Sequence, residues 1–215
     1  MSFSWKSVLV TVLAVLASSA ATATTLTSKL NVDNYFSFYI SLDDHTLGTY
    51  VGEGDNWQVT STYSSVLTPG VTNYLHVVAG NWSGPGGFLG AFSISDTNFQ
   101  FANGTQSLGT NSTNWVYRWG NFAGVDNTPF SQATVGNGPW NSNFNTANYT
   151  GTSAQWLWNY NSTGSDDHNV LYFSTAIQST VIPEPVPEPS TLALLAVALL
   201  GFAWRRARRG GSLNA

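Results

Sequence analysis

Residues 35–42 read Tyr35-Phe36-Ser37-Phe38-Tyr39-Ile40-Ser41-Leu42. Phe36, Phe38, Ile40 and Leu42 alternate with Ser37, Tyr39 and Ser41, a period of two that puts the apolar residues on one side of an extended chain. A helix would scatter both sets around its circumference. The same period returns downstream, where Trp57, Val59, Ser61 and Tyr63 share one side of a second run opposite Gln58, Thr60 and Thr62. Apolar and aromatic runs follow at 74–79, 88–94, 99–101, 115–119, 156–160 and 170–173. Turn formers separate them: Pro69-Gly70, the stretch from Gly80 to Gly87, Asn103-Gly104 and a polar stretch at 159–169. No amphipathic helical period of useful length interrupts the series. The expected fold class is all-β, an antiparallel sandwich or barrel.

Composition narrows the class further. Only 8% of the 215 residues are charged, while 14% are aromatic and none is Cys. Ordinary soluble domains carry about 25% charge, but disordered chains are highly charged and poor in aromatics, so this deficit does not signal disorder. The lack of Cys excludes a disulfide framework, a thiolate-bound metal and a cysteine nucleophile. Residues 24–182 are the one segment long enough to bury a sizeable core. They hold two cations, Lys29 and Arg118, against nine anions, a formal charge of −7. The whole-chain value of −4 understates this, because four of the seven basic residues lie near the C-terminus. Nucleic acid is therefore not an expected partner of the body.

The two ends read as sorting information. Residues 1–23 begin with a short polar start containing Lys6, continue through an uncharged run from Val8 to Leu16, and end Ala21-Thr22-Ala23. That is the plan of a secretory signal peptide cleaved after Ala23, with Ala21 and Ala23 as the small cleavage-site residues. The run is about half of the ~20 residues needed to span a bilayer, so the expected partners are the Sec export machinery and signal peptidase. At the other end, residues 183–191 form a Pro-rich linker that neither continues a helix nor joins a sheet ladder. Residues 192–209 follow as a short apolar helix, uncharged from Leu192 to Trp204, then Arg205, Arg206, Arg208 and Arg209. Residues 210–215 are a tail. By the positive-inside rule the arginines stay on the cytoplasmic side of the inner membrane and the body lies outside.

The stretch VPEPSTLALLAVALLGFAWRRARR, Val186 to Arg209, resembles the PEP-CTERM sorting signal of exopolysaccharide-producing Gram-negative bacteria. The resemblance implies that an exosortase recognises Pro187, Glu188 and Pro189 and removes the tail. The precursor would be membrane-anchored and the product would reach the cell surface or extracellular matrix. A permanent single-pass anchor is the alternative, for which thirteen uncharged residues are short.

The body resembles a second group. Asn31-Val32-Asp33-Asn34-Tyr35-Phe36-Ser37-Phe38-Tyr39-Ile40, Leu47-Gly48, Gly54-Asp55-Asn56-Trp57 and Leu75-His76-Val77-Val78-Ala79 follow the order of galactose-binding-like modules. This resemblance, over about residues 31–95, implies a jelly-roll β-sandwich. Ser41-Leu42-Asp43-Asp44 stands where a tight Asn-Gly turn is common, and no counterpart is evident from residue 105 onward.

An exported, Trp-rich sandwich invites a carbohydrate reading, because aromatic faces stack on sugar rings, although buried rings need no ligand. Trp57, Trp115, Trp156 and Trp158 lie in strand patterns and are expected in the core. Trp82 and Trp140 lie in Gly-rich loops and Trp119 at a strand end, so these three are the candidate polysaccharide platform. Asp33, Asp43, Asp44, Glu53 and Asp55 lie close in sequence. They read either as turn makers or as ligands of a structural Ca2+, which galactose-binding-like modules often carry. No other cofactor is expected. A Ser-His-Asp hydrolase could draw on His45, His76 or His168, but no G-x-S-x-G elbow surrounds any serine. Glu is almost absent from the body, leaving little for a carboxylate pair. The expected function is a non-enzymatic, exosortase-sorted surface or matrix protein that binds carbohydrate. A purely structural coat or adhesion protein is the alternative, and a secreted glycan hydrolase ranks last.

Overall fold

The computed structural model describes residues 23–126, 130–134, 140, 146–159, 170–181 and 197–201, with the side chains of 130–134 excepted. The chain divides into two compact units, Met1–Val181 and Ile182–Ala215. In the second, residues 197–201 are helical. Among the described residues no helix is long and apolar enough to cross a membrane. Ala21, the Pro187-Glu188-Pro189 motif, the four arginines and His168 lie outside the described residues.

The first unit is an all-β sandwich of two antiparallel sheets. Its strands are β1 (Thr25–Asp33), β2 (Tyr35–Ser41), β3 (Thr49–Gly54), β4 (Ser61–Val66), β5 (Asn73–Gly80) and β6 (Gly87–Ile94). They continue as β7 (Phe99–Phe101), β8 (Ser107–Gly109), β9 (Val116–Trp119), β10 (Phe130–Thr134), β11 (Gln155–Asn159) and β12 (Val170–Ser179). The first sheet runs β10-β11-β6-β1-β4, with β8 also on β6, and the second runs β3-β2-β5-β12-β7, with β9 also on β12.

Alternation decides what faces inward. Phe36 and Phe38 of β2, Leu75, Val77 and Ala79 of β5, and Leu171, Phe173 and Ile177 of β12 meet Leu26, Leu30 and Val32 of β1 and Phe88, Phe92 and Ile94 of β6 in one core. Rings bridge the two sheets: Phe88 lies 4.9 Å from Phe173 and 5.2 Å from Trp115, and Phe38 lies 6.4 Å from Phe92. Pairs at such spacing add about 0.5–1.5 kcal/mol each beyond the area they bury.

Three sequence expectations need correction. The run proposed from Trp57 to Tyr63 enters a strand only at Ser61; residues 57 and 58 form a turn, which Asn56 closes by accepting from the Gln58 N–H at 3.0 Å. An Asn side chain that bonds two residues ahead competes with the ladder. Leu42 lies beyond the end of β2 and is 57% exposed, because the strand stops where Ser41 turns back onto Asp43. Strand β12 extends to Ser179, well past Phe173, because β5 pairs along it to Ile177 and β7 from Ile177 to Ser179.

A second, smaller apolar cluster forms on the outer face of the first sheet. Leu89 there is covered by Trp140, Tyr149, Ala154 and Trp156, with Trp57 and Ala91 packed against them. The 3-10 helix Thr146–Tyr149 supplies part of this lid. It is anchored to β1 through Asn31, whose amide oxygen accepts from the Tyr149 hydroxyl at 2.8 Å and whose Nδ2 donates to the Trp57 carbonyl at 2.6 Å.

Candidate functional site

The chain passes from the first sheet to the second between β1 and β2, through a cis peptide bond joining Asp33 and Asn34. This corner organises one end of the sandwich. The Asn34 backbone N–H donates to the Gly80 carbonyl at 2.8 Å, and its side-chain oxygen accepts from the Trp82 N–H at 2.7 Å. Asn34 Nδ2 also donates to Asp33 Oδ1 at 2.7 Å. Asn81 closes the 81–84 loop by donating to the Gly84 carbonyl at 2.8 Å, and Gly84 takes the left-handed φ of +75° that favours glycine. The Trp82 ring lies 5.6 Å from Tyr35, tilted by 31°. Glycine at 80 makes that approach possible, since a Cβ there would meet the Tyr35 ring at 2.1 Å. Trp82 is thus held at both backbone and ring, yet 53% exposed.

Trp119 is 45% exposed and rests edge-on against Tyr117 at 5.9 Å. The pairings Tyr35 with Gly80, Val170 with Gly80, and Leu171 with Trp119 place it at the same end of the second sheet as Trp82. Strand β12 separates their two strands, a spacing of about 10 Å. Trp140 does not join them. It is buried at 6% exposure, stacked on Trp156 at 4.5 Å, with its indole N–H donating to Asp33 Oδ2 at 2.8 Å. This corrects the loop-based expectation that Trp140 presents a sugar platform. The outer face of the first sheet carries apolar side chains that need cover, and the Trp140 ring supplies part of it.

The acidic candidates do not converge, and among the described residues no three His, Asp or Glu side chains gather as a metal site. Asp33 is buried beneath Trp140. Asp43 closes a turn by accepting from the His45 N–H at 2.8 Å. Glu53 and Asp55 line a separate depression beside Tyr35. The cation facing Asp44 is the Arg118 guanidinium, which is fully buried on β9. Arg118 Nη2 donates to Asp44 Oδ2 at 2.7 Å, Nη1 to the Asp44 carbonyl at 2.8 Å, and Nε to Asp126 Oδ1 at 2.5 Å. Asp44 Oδ1 also accepts from Ser174 Oγ and faces His76 Nε2 at 3.5 Å. His76 is fully buried, with Phe122 stacked on its ring at 3.8 Å. Arg118 thus clamps the β2–β3 loop and the loop after β9 over the outer face of the second sheet. Ser, His and Asp meet here, but the serine donates to the carboxylate and not to the imidazole, so the relay that activates a serine nucleophile is not assembled. Sequence reading missed this clamp. The one available signal was an arginine inside a strand of a chain with a single other body cation.

Asp33, buried, and Asp44, half-buried, titrate in opposite senses. Burial is the largest influence on Asp33 and holds its carboxyl above the ordinary value, against the opposing hydrogen bond from Trp140. For Asp44, desolvation pushes upward, but the hydrogen bonds from His76, Arg118 and Ser174 together outweigh it and hold the carboxyl well below the usual range. A raised carboxylate makes the fold more stable as pH falls through its folded pKa. A lowered one contributes stability that is complete above the unfolded value, about 4, and is lost below it. The unfolding temperature is therefore expected to rise as pH falls toward about 4 and to drop below that. Thermal scans of Asp33→Asn and Asp44→Asn check this: the first should flatten the rise and the second the acid-side fall.

Comparison with protein-family models matches residues 182–209 to the PEP-CTERM protein-sorting motif. No curated protein and no solved structure matches the chain. A motif of this kind implies an exported protein whose membrane-anchored precursor is sorted by an exosortase.

Proposed function

We propose that this chain is a non-enzymatic surface or exopolysaccharide-matrix protein whose sandwich, a jelly-roll module of galactose-binding-like pattern, holds carbohydrate at Trp82 with Trp119 beside it. The observation that carries this reading is the Trp82 ring, fixed by Asn34 and Tyr35 and still open to solvent. A large aromatic side chain ordered before any ligand arrives loses little further freedom on binding. The sorting motif supports the same reading, since it implies export and sorting to the cell surface, where extracellular glycans are met.

Retention on a panel of neutral polysaccharides tests it. Trp82→Ala is expected to weaken retention about fivefold, the worth of roughly 1 kcal/mol of ring stacking. Adding Trp119→Ala should multiply the loss, because rings on strands about 10 Å apart that do not touch contribute additively. Stability should change by less than about 0.5 kcal/mol, as for other exposed substitutions. A folded wild-type protein that no polysaccharide retains would leave the coat or adhesion reading. That reading is favoured by the burial of Trp115, Trp140, Trp156 and Trp158, which spends most of the described tryptophans on packing.

A further inference from the structure

Lys29 and Arg118 are the only Lys or Arg side chains among the described residues, and Arg118 is buried and paired. Lys29 has neither an ion pair nor a side-chain hydrogen bond among the described residues. It sits half-buried on the outer face of the first sheet, at the edge of a groove of about 360 Å3. Register explains the groove. Lys29 pairs with Ala91 and Ala91 with Gly109, so the floor beside the lysine carries small side chains. The next row pairs Thr27 with Ser93 and Ser93 with Ser107, three hydroxyls on adjacent strands. The loop holding Thr150 and Ser153 forms the facing wall. These five hydroxyls make no side-chain hydrogen bond among the described residues, and no carboxylate lines the groove.

We propose that this groove is a second glycan site, distinct from the Trp82 end, which takes one acidic sugar residue with its carboxylate on Lys29. The volume lies at the low end of small-molecule sites, roughly 300–1,000 Å3, and suits one or two sugar rings. The hydroxyls match a polyhydroxylated ring, and a single ammonium matches a single negative charge in a charge-assisted hydrogen bond. The −7 formal charge of the body opposes a dense polyanion. The ligand is therefore an isolated uronic acid within an otherwise neutral polysaccharide. This shares with the preceding reading only that the ligand is a glycan.

Titration of the full purified chain with a glucuronosyl-glucose disaccharide and with its methyl ester, which keeps the shape and removes the charge, tests the site. At low salt the acid is expected to bind about fivefold more tightly than the ester, the upper range of an exposed ion pair. That ratio should fall to one in Lys29→Gln, persist in Lys29→Arg and fall below one in Thr27→Asp, which places a carboxylate on the floor. Equal binding of acid and ester to the wild-type chain, or an undiminished preference in folded Lys29→Gln, would overturn the proposal. Competition by acetate as strong as by the disaccharide would overturn it too, since the groove would then hold any small anion. Trp82→Ala should leave the acid-to-ester ratio intact. If neutral glycans fail to bind while that ratio stands, the Trp82 reading alone falls.

Discussion

Arg118→Ala is expected to destabilise the sandwich by about 3 kcal/mol, the lower range for removing one partner of a buried ion pair. Arg118 has no exposed surface and reaches Asp44 through two of its nitrogens and Asp126 through a third. Truncation leaves the Asp44 carboxylate, 28% exposed, without its charge partner, and opens a void under the two loops that the guanidinium joins. Asp126 is 55% exposed and regains water on losing Arg118, so Asp126→Asn should cost less than about 1 kcal/mol. Arg118→Lys should recover only part of the loss, because one ammonium cannot reproduce the guanidinium fork. Urea unfolding of the three variants checks the ranking. A loss below about 1 kcal/mol for Arg118→Ala would show that the clamp contributes no more than a surface pair.

Replacing Pro187, Glu188 and Pro189 together with Ala is expected to block processing almost completely. These residues fall inside the stretch that matches the sorting motif, 182–209. The prediction is a precursor that keeps the apolar and Arg-rich tail and remains with the inner membrane, while the wild-type product lacks that tail. Intact-mass measurement of protein from membrane and surface fractions distinguishes the two. A full tail on the mature wild-type protein would show instead that residues 192–209 are a lasting anchor. The replacement should leave the unfolding of the sandwich unchanged, since all the strands described lie before residue 182.

Much of the fold was legible because strand formation is written locally. The alternation at 35–42 announces β2, and its inward set includes the Phe36 and Phe38 that the core contains. Legibility ended where partners lie far apart in the chain. The first strand, β1, pairs with both β4 and β6, yet its sequence Thr-Leu-Thr-Ser-Lys-Leu-Asn-Val-Asp mixes polar residues onto the inward side, with Ser28 fully enclosed. Trp140 lies in a Gly-rich stretch of sequence as Trp82 does, and sequence alone does not separate the two. One is buried and the other open, because Trp140 meets Asp33 across 107 residues whereas Trp82 meets Tyr35 at the rim.

The sequence by itself determined an all-β body and a C-terminal sorting motif, because a period of two and an ordered Pro-Glu-Pro, apolar and arginine series are both properties of neighbouring residues. Tertiary structure alone decided which indoles face water, that the cation at Asp44 is Arg118, and that Lys29, unpaired among the described residues, overlooks a groove they line without a carboxylate. Those outcomes depend on pairing registers and loop closures that bring distant residues within hydrogen-bonding range. Arg118 and Asp44, 74 residues apart, are one such pair.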